Sequence, residues 1–315
     1  MSVHFPVSVV TLEGPDASGK TTLYAGIHKK TKFKWNIQDR SSLSMICYAR
    51  QFGRNDEHHR KNLYREILDL NNRVIIMLPP EEILAKRLSE RGDEFQNPSS
   101  VIALRNIFAE EAEKLRNFPN ILIVEKAPGR DELVNLCVKW LESKEVCDPV
   151  EAGRAVRDAT VAALNPLRRD TTCKLHVTFS KEDSFSSIAN HPREGDYYRK
   201  IISDVLEIFR AEFAGENEYG KIQDLSSRRF YYSSSSCVSS VHFLVRNGWF
   251  NVFAQLRSTD VHRNASIDTK FLCHLCELVA KHYNLPVKNV SLDIRYNCAH
   301  ERHDLPPWNK NEEIE

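Results

Sequence analysis

Nine residues, Gly14-Pro15-Asp16-Ala17-Ser18-Gly19-Lys20-Thr21-Thr22, have the types and spacing to grip phosphate. The two glycines let backbone N–H groups turn inward toward phosphate oxygens. Lys20 brings a point charge to the β- and γ-phosphates, and the Thr21 hydroxyl is a ligand for Mg²⁺. An apolar run, Val7 to Leu12, precedes the loop, and the spacing predicts a helix from Leu23 to Lys30 after it. A helix placed there adds the positive end of its dipole. Strand, glycine loop and helix in that order read as a site for a nucleoside triphosphate, with ATP and Mg²⁺ as the expected cofactors.

The rest of the chain must position that loop. With 315 residues and 41% hydrophobic content, it can bury a large core and is expected to form two domains. The formal net charge of +1 offers no global field for a nucleic acid, although local clusters exist. Eight cysteines without a disulfide framework, and no apolar leader after Met1, read as reduced thiols in a cytoplasmic protein. No run of 18 apolar residues is present, so no membrane span is expected.

In the first half, a short strand is expected over Phe33 to Ile37, ending in Gln38-Asp39-Arg40, followed by helical segments through Asp69. Arg73 to Leu78 is a continuous apolar run, the pattern of a strand buried on both faces. Helices are expected over Glu81 to Arg91 and Val101 to Phe118, a strand over Asn120 to Glu125, and a closing helix over Asp131 to Ser143. This alternation predicts an α/β fold, a parallel sheet flanked by helices with the nucleotide at the carboxyl ends of the strands. A carboxylate there can orient an acceptor hydroxyl and take its proton. Asp39 is the first candidate for that role and Asp16 the second.

Glu13 to Thr22 resembles the loop of thymidylate kinases and related nucleotide kinases. Asp39-Arg40 resembles the Asp-Arg that ends the second strand in that family, and Arg87 and Arg91 resemble its lid arginines. The resemblance covers roughly residues 5 to 145. It implies an ATP-dependent phosphotransferase in which Lys20, Arg87 and Arg91 neutralise the transferring phosphoryl group. Only about twenty residues separate the loop from Asp39, too few for the helical insert that clasps a mononucleotide in that family. An acceptor held in another way, and a large one, is expected.

Residues 147–172 read as a linker between a domain at 1–146 and another at 173–315. In the latter, Leu175 to Phe179 alternates like a strand and Tyr198 to Phe213 has helical periodicity. Val241 to Val245, an Asn247-Gly248 turn, and Trp249 to Leu256 form an expected hairpin. A helix from about Thr269 to Tyr283 follows. Cys273-His274-Leu275-Cys276 has metal-like spacing, but it lies inside that helical pattern and reads as core.

Cys237, the hairpin and Arg257-Ser258-Thr259-Asp260 together resemble thymidylate synthases and the related deoxypyrimidine hydroxymethylases, an α+β fold. Cys237 precedes Arg257 by twenty residues, the spacing in that family. The resemblance implies that Cys237 is the thiol that adds to the pyrimidine ring, that Arg257 and Ser258 contact the nucleotide phosphate, and that Asp260 lies near the base. Asp268 falls where the family reads the base, and a carboxylate there fits cytosine. Arg228 and Arg229 resemble paired arginines that reach a partner subunit, which implies a homodimer. Cys237 lacks the family's Pro-Cys-His context, and little chain follows His300.

A kinase joined to a synthase-like domain resembles the phage 5-hydroxymethyldeoxyuridine DNA kinases. These phosphorylate the 5-hydroxymethyl group of a base in DNA as a step of base hypermodification. The acceptor expected is therefore DNA, with a free deoxypyrimidine nucleotide as the alternative, served by a mononucleotide kinase fused to a hydroxymethylase-like domain. A second alternative is a nucleotide-binding protein whose catalytic domains are relicts. For a DNA acceptor, Lys29 to Lys34, Arg50 to Arg60 and Arg228-Arg229 are the candidate phosphate contacts.

Overall fold

The computed structural model describes residues 2–91, 97–164, 169–181, 195–214, 216–217, 220–221 and 227–301. The elements are β1 (Val3–His4), β2 (Val9–Glu13), α1 (Lys20–Thr31), β3 (Ile37–Asp39), α2 (Ser42–Gln51), α3 (Glu57–Ile67), β4 (Asn72–Met77), α4 (Glu81–Arg91), α5 (Pro98–Leu115), β5 (Ile121–Val124) and α6 (Arg130–Ser143). After them come β6 (Val146–Cys147), α7 (Pro149–Ala163), β7 (Asp170–Ser180), α8 (Gly195–Ala214), β8 (Glu216–Asn217), β9 (Gly220–Lys221), β10 (Tyr231–Ser233), β11 (Val238–Arg246), β12 (Trp249–Leu256), β13 (Thr259–Asp260), α9 (Ala265–His282) and β14 (Asn289–His300). The chain divides into two compact units: Val7–Glu145, and Met1–Pro6 together with Val146–Glu315.

The Val7–Glu145 unit is an α/β layer. Its sheet is parallel throughout, in the order β3-β2-β4-β5. Helices α1 and α6 close over the sheet through Leu23, Ile27, Val134, Val138 and Leu141, which share one core with Val10, Leu12, Ile75 and Met77. Register pairs Leu12 with both Asp39 and Ile75, so the loop after β2, the end of β3 and the end of β4 meet at the carboxyl edge. The strand expected over Phe33 to Ile37 is shifted. Lys32 and Phe33 take left-handed conformations that end α1, so the extended segment begins only at Ile37.

The other unit is built on a mixed sheet, β10-β11-β12-β14-β7-β1-β6, with β13 added beside β14. Alternate residues Val241, Phe243, Val252, Ala254, Leu292, Ile294, Val177 and Leu175 are buried, which gives this sheet one covered face. Asn247 and Gly248 both have positive φ, 52° and 78°, as the two-residue hairpin turn requires. Cys273 and Cys276 are fully buried in α9. Among the described residues, no helix is long and apolar enough to cross a membrane.

Two expected boundaries are corrected. The first strand pairs with β6 and β7 and therefore belongs with the C-terminal unit, not with the phosphate-loop unit. The described residues of the expected linker, 147–164 and 169–172, fall largely in α7 and the start of β7. Asp148 and Glu151 form a reciprocal capping box, Pro149 opens α7, and α7 packs on α9. The two helices approach so closely that a Cβ at Gly153 would sit 2.4 Å from Ser266 Cα. The absence of a side chain at Gly153 is what permits that approach.

Candidate active site

The loop from Gly14 to Gly19 holds a backbone that side chains would oppose. Gly14 has φ 134°, and a Cβ there would lie 2.4 Å from the Met77 carbonyl oxygen. Gly19, at φ 102°, is the residue from which α1 starts. Even Ala17 is left-handed, at φ 59°. Only glycine meets both demands at Gly14 at little cost. Lys20 is buried at 6% exposure and folds back on the loop, its Nζ donating to the carbonyls of Gly14 and Pro15, both at 2.9 Å. Burial, and then the Arg40 charge, lower its pKa to about 8 against the opposing pull of Asp39, Asp16 and Glu13. Thr21 and Thr22 remain exposed in the first turn of α1. A glycine cradle at the N-terminus of a 12-residue helix, with a buried lysine aimed into it, fits a triphosphate and Mg²⁺.

At the end of β3 the chain is pinned from two sides. Arg40 is left-handed at φ 69°, its amide donating to Leu12 O at 2.9 Å. Its guanidinium donates to Asp16 Oδ1 at 2.5 Å and lies 5.1 Å from the centre of the Tyr48 ring. Tyr48 donates its hydroxyl to Asp16 Oδ2 at 2.7 Å. Burial, and then that bond to Asp16, push the Tyr48 phenol well above its usual range. From below, the fully buried Glu13 carboxylate accepts the Ser41 amide at 2.6 Å, the Ser41 hydroxyl at 2.8 Å and the Ser44 hydroxyl. Burial raises the Glu13 pKa, partly offset by these serines. Both Asp16 oxygens are thus engaged, whereas Asp39 stays exposed at the strand end. Arg87 reaches over from α4, its Nη1 donating to Ala17 O at 3.2 Å and Ser18 O at 3.1 Å. The Arg91 side chain lies outside the described residues.

Glu13 and Tyr48 are contributors that the sequence reading gave no role. A carboxylate ending a strand just before a glycine loop was a visible signal for Glu13. Nothing local marked Tyr48, which depends on α2 packing beside the loop. The basic stretch Arg50 to Arg60 is corrected. Arg50 donates to Glu111 and Glu110, and Arg60 to Glu111 and Asp56, so two of its charges are neutralised inside the unit. Burial alone would raise the Glu111 carboxyl, but the hydrogen bonds from Arg60 and Lys114 outweigh it and bring it to about 2.

In the other unit, Cys237 and Arg257 meet across β11 and β12, the Arg257 amide donating to the Cys237 carbonyl at 2.8 Å. Cys237 is half-buried and Arg257 exposed. Two tyrosines on α8 link this end to α9. Tyr197 accepts the Val238 amide at 2.9 Å, and Tyr198 donates to the buried Asp268 at 2.8 Å. Burial raises the Tyr197 phenol, and the charges of Asp268 and Cys237 add to that. Asp260 is buried, accepts the His262 amide at 3.2 Å and pairs with Arg263 Nε at 3.9 Å, shaping the turn into α9. Ser258 hydrogen-bonds near Cys298, a thiol that burial and Asp170 raise and Ser258 lowers. Arg228 and Arg229 are exposed just before β10, where Tyr231 pairs with His242. Along β11 that register leaves them about 20 Å from Cys237, so one chain does not bring them to the thiol.

No family model and no curated protein matches the chain. Solved structures do. The YorR protein of Bacillus subtilis, in complex with phosphorylated GDP, is 19% identical over 43% of this chain and 96% of its own, with a TM-score of 0.36. Deoxyadenosine kinase of M. mycoides with bound dCTP is 16% identical over 43% of this chain and 99% of its own, TM-score 0.32. Thymidylate synthase of T4 phage is 17% identical over 39% of this chain and 49% of its own, TM-score 0.23. Structures similar to the chain thus include both deoxynucleoside kinases and thymidylate synthases.

Proposed function

We propose that the protein is an ATP-dependent kinase that phosphorylates the 5-hydroxymethyl group of 5-hydroxymethyluracil in DNA, a step in the hypermodification of phage DNA. The observation that carries a kinase reading is the convergence of Lys20, Asp39, Arg40 and Arg87 around the strained glycine loop. ATP with Mg²⁺ would supply the phosphoryl group and the metal's charge. The loop amides and Lys20 hold the phosphates, and Thr21 offers its hydroxyl to the metal. Arg87, already over the loop, neutralises charge as the phosphoryl group moves, with Arg91 as a second lid cation. Asp39 takes the proton of the acceptor hydroxyl onto a carboxylate oxygen. Asp16, held by Arg40 and Tyr48, fixes Arg40 rather than serving as base.

β3 follows α1 directly, which leaves no helical clasp over a free nucleotide and supports a flipped or single-stranded base as acceptor. Cys237, Arg257, Ser258, Asp260 and Asp268 are assigned to pyrimidine recognition in a synthase-like fold. A homodimer is assigned to the sheet face that carries Tyr231, Phe253 and Trp249, which are 50%, 44% and 36% exposed. The neutralised Arg50 and Arg60 favour a second reading, a deoxynucleoside monophosphate kinase.

γ-Labelled ATP, Mg²⁺ and two acceptors decide between the readings: 5-hydroxymethyl-dUMP, and DNA containing 5-hydroxymethyluracil, with Lys20→Ala as control. Label on DNA that survives removal of terminal phosphates is the expected result. Label on the mononucleotide alone overturns the DNA reading in favour of the second.

A further inference from the structure

Along the outside of α1, three aromatic rings form a ladder that leads away from the phosphate loop. Tyr24 meets His28 edge-on at 4.4 Å, and His28 stacks on Phe33 at 4.6 Å. Tyr24 is 40% exposed and Phe33 75%, so the ladder ends in an open aromatic face. That placement works against the backbone. Lys32 and Phe33 are consecutive non-glycine residues at φ 52° and 61°, a conformation L-residues disfavour. The buried Nδ1 of His28 has no hydrogen-bond partner among the described residues, so the imidazole is present as a stacking ring.

Cations flank the ladder. Residues on either side of Phe33 in the chain, Lys30, Thr31 and Lys34, line a cavity of about 250 Å³ with Asn135, Lys139 and Glu142. Lys30 donates to Asn135, and Lys34 pairs with Glu145 at 2.6 Å. Lys29, Lys32 and Lys139 are exposed. Lysines at the C-terminus of α1 complement the helix dipole, which accounts for Lys29 and Lys30. It accounts for neither Lys139 on α6 nor an exposed, strained Phe33.

We infer that this surface binds single-stranded DNA, with bases stacking on Phe33 and the lysines contacting the phosphates. Stacked aromatics interleaved with lysines are the chemistry by which proteins hold single strands with little regard to sequence. The ladder starts one turn from Lys20, and through the buried His28 its outer rings lie within about 9 Å of each other, so a strand stacked on Phe33 would run on toward the loop past Tyr24. The inference deepens the DNA reading above, but its test needs neither ATP nor a modified base. A failure of phosphotransfer and a failure of this surface are therefore distinguishable.

The experiment is fluorescence anisotropy with a labelled 12-nucleotide dT strand, the equivalent rU strand and a 12-base-pair duplex, at two salt concentrations. Wild-type protein should prefer dT to the duplex. Phe33→Ala should weaken dT binding at least fivefold and leave duplex binding unchanged. Lys139→Glu should weaken it and flatten the salt dependence. Retained ATP binding confirms that both variants are folded. Unchanged dT affinity in Phe33→Ala, a preference for the duplex, or tighter binding of rU than of dT would overturn the proposal.

Discussion

The phosphate loop and the Cys237 region are both sites by residue type, but the fold treats them differently. Around the loop, the unusual residues are needed for the geometry they adopt: Gly14 for its positive φ and its closeness to Met77, and Lys20 for a buried cation among carbonyls. Around Cys237, the residues singled out are bound into the scaffold. Asp268 is held by Tyr198, and Asp260 shapes the turn into α9. Arg257 meets Cys237 through main-chain atoms. A motif is a better guide to chemistry when its residue types are demanded by a strained backbone than when its side chains also serve packing.

Measurements of graded size can break or sharpen that comparison. Lys20→Ala should lower phosphotransfer by about 10³-fold while leaving the unfolding transition in place, as read by kinetics and urea denaturation. Wild-type activity in that variant would remove the contrast altogether. Glu111→Gln should cost about 2 kcal/mol of stability, since Arg50 and Arg60 each lose a charged hydrogen-bond acceptor and keep only Glu110 and Asp56. Because the folded Glu111 titrates near 2 instead of 4.5, its contribution is present above about pH 4.5 and fades as pH falls toward 2. Urea melts of the variant should lack that acid-side loss.

ATP affinity offers a smaller effect. Lys20 loses its proton as pH rises through about 8, and phosphate prefers the charged form. Calorimetry at pH 7 and 9 should show affinity falling about tenfold, and a flat profile would remove Lys20 from the phosphate contact. The smallest effect is assigned to Cys237→Ser, which should raise the acceptor KM a few-fold with kcat unchanged and stability within about 0.5 kcal/mol. A large loss of activity in that variant would place the two regions on an equal footing.

Much of this was legible in sequence because it was local. The loop needed only nine adjacent residues, and β4 announced itself through the apolar run Val74 to Leu78. Asn247-Gly248 specified its turn by backbone preference alone. The reading failed where partners are distant in the chain. Phe33 looked like the start of a strand, because neither its left-handed conformation nor His28 beneath it shows in an apolar pattern. Residues 147–172 looked like a linker, because small residues that fit helices together also occur in connections. Arg50 and Arg60 looked like free cations, because Glu111 lies more than fifty residues further along the chain.

By itself, then, the sequence determined the phosphate loop, the parallel sheet beneath it and the hairpin after Cys237, since each follows from backbone preference and hydrophobic period within a short window. Tertiary structure alone decided which charges stay available. Asp16 is taken by Arg40 and Tyr48, Glu13 by two serines and Arg50 by Glu111, whereas Asp39 and Thr21 remain exposed. The physical reason is that a charged side chain carries no mark of its partner until folding brings the partner within hydrogen-bonding distance.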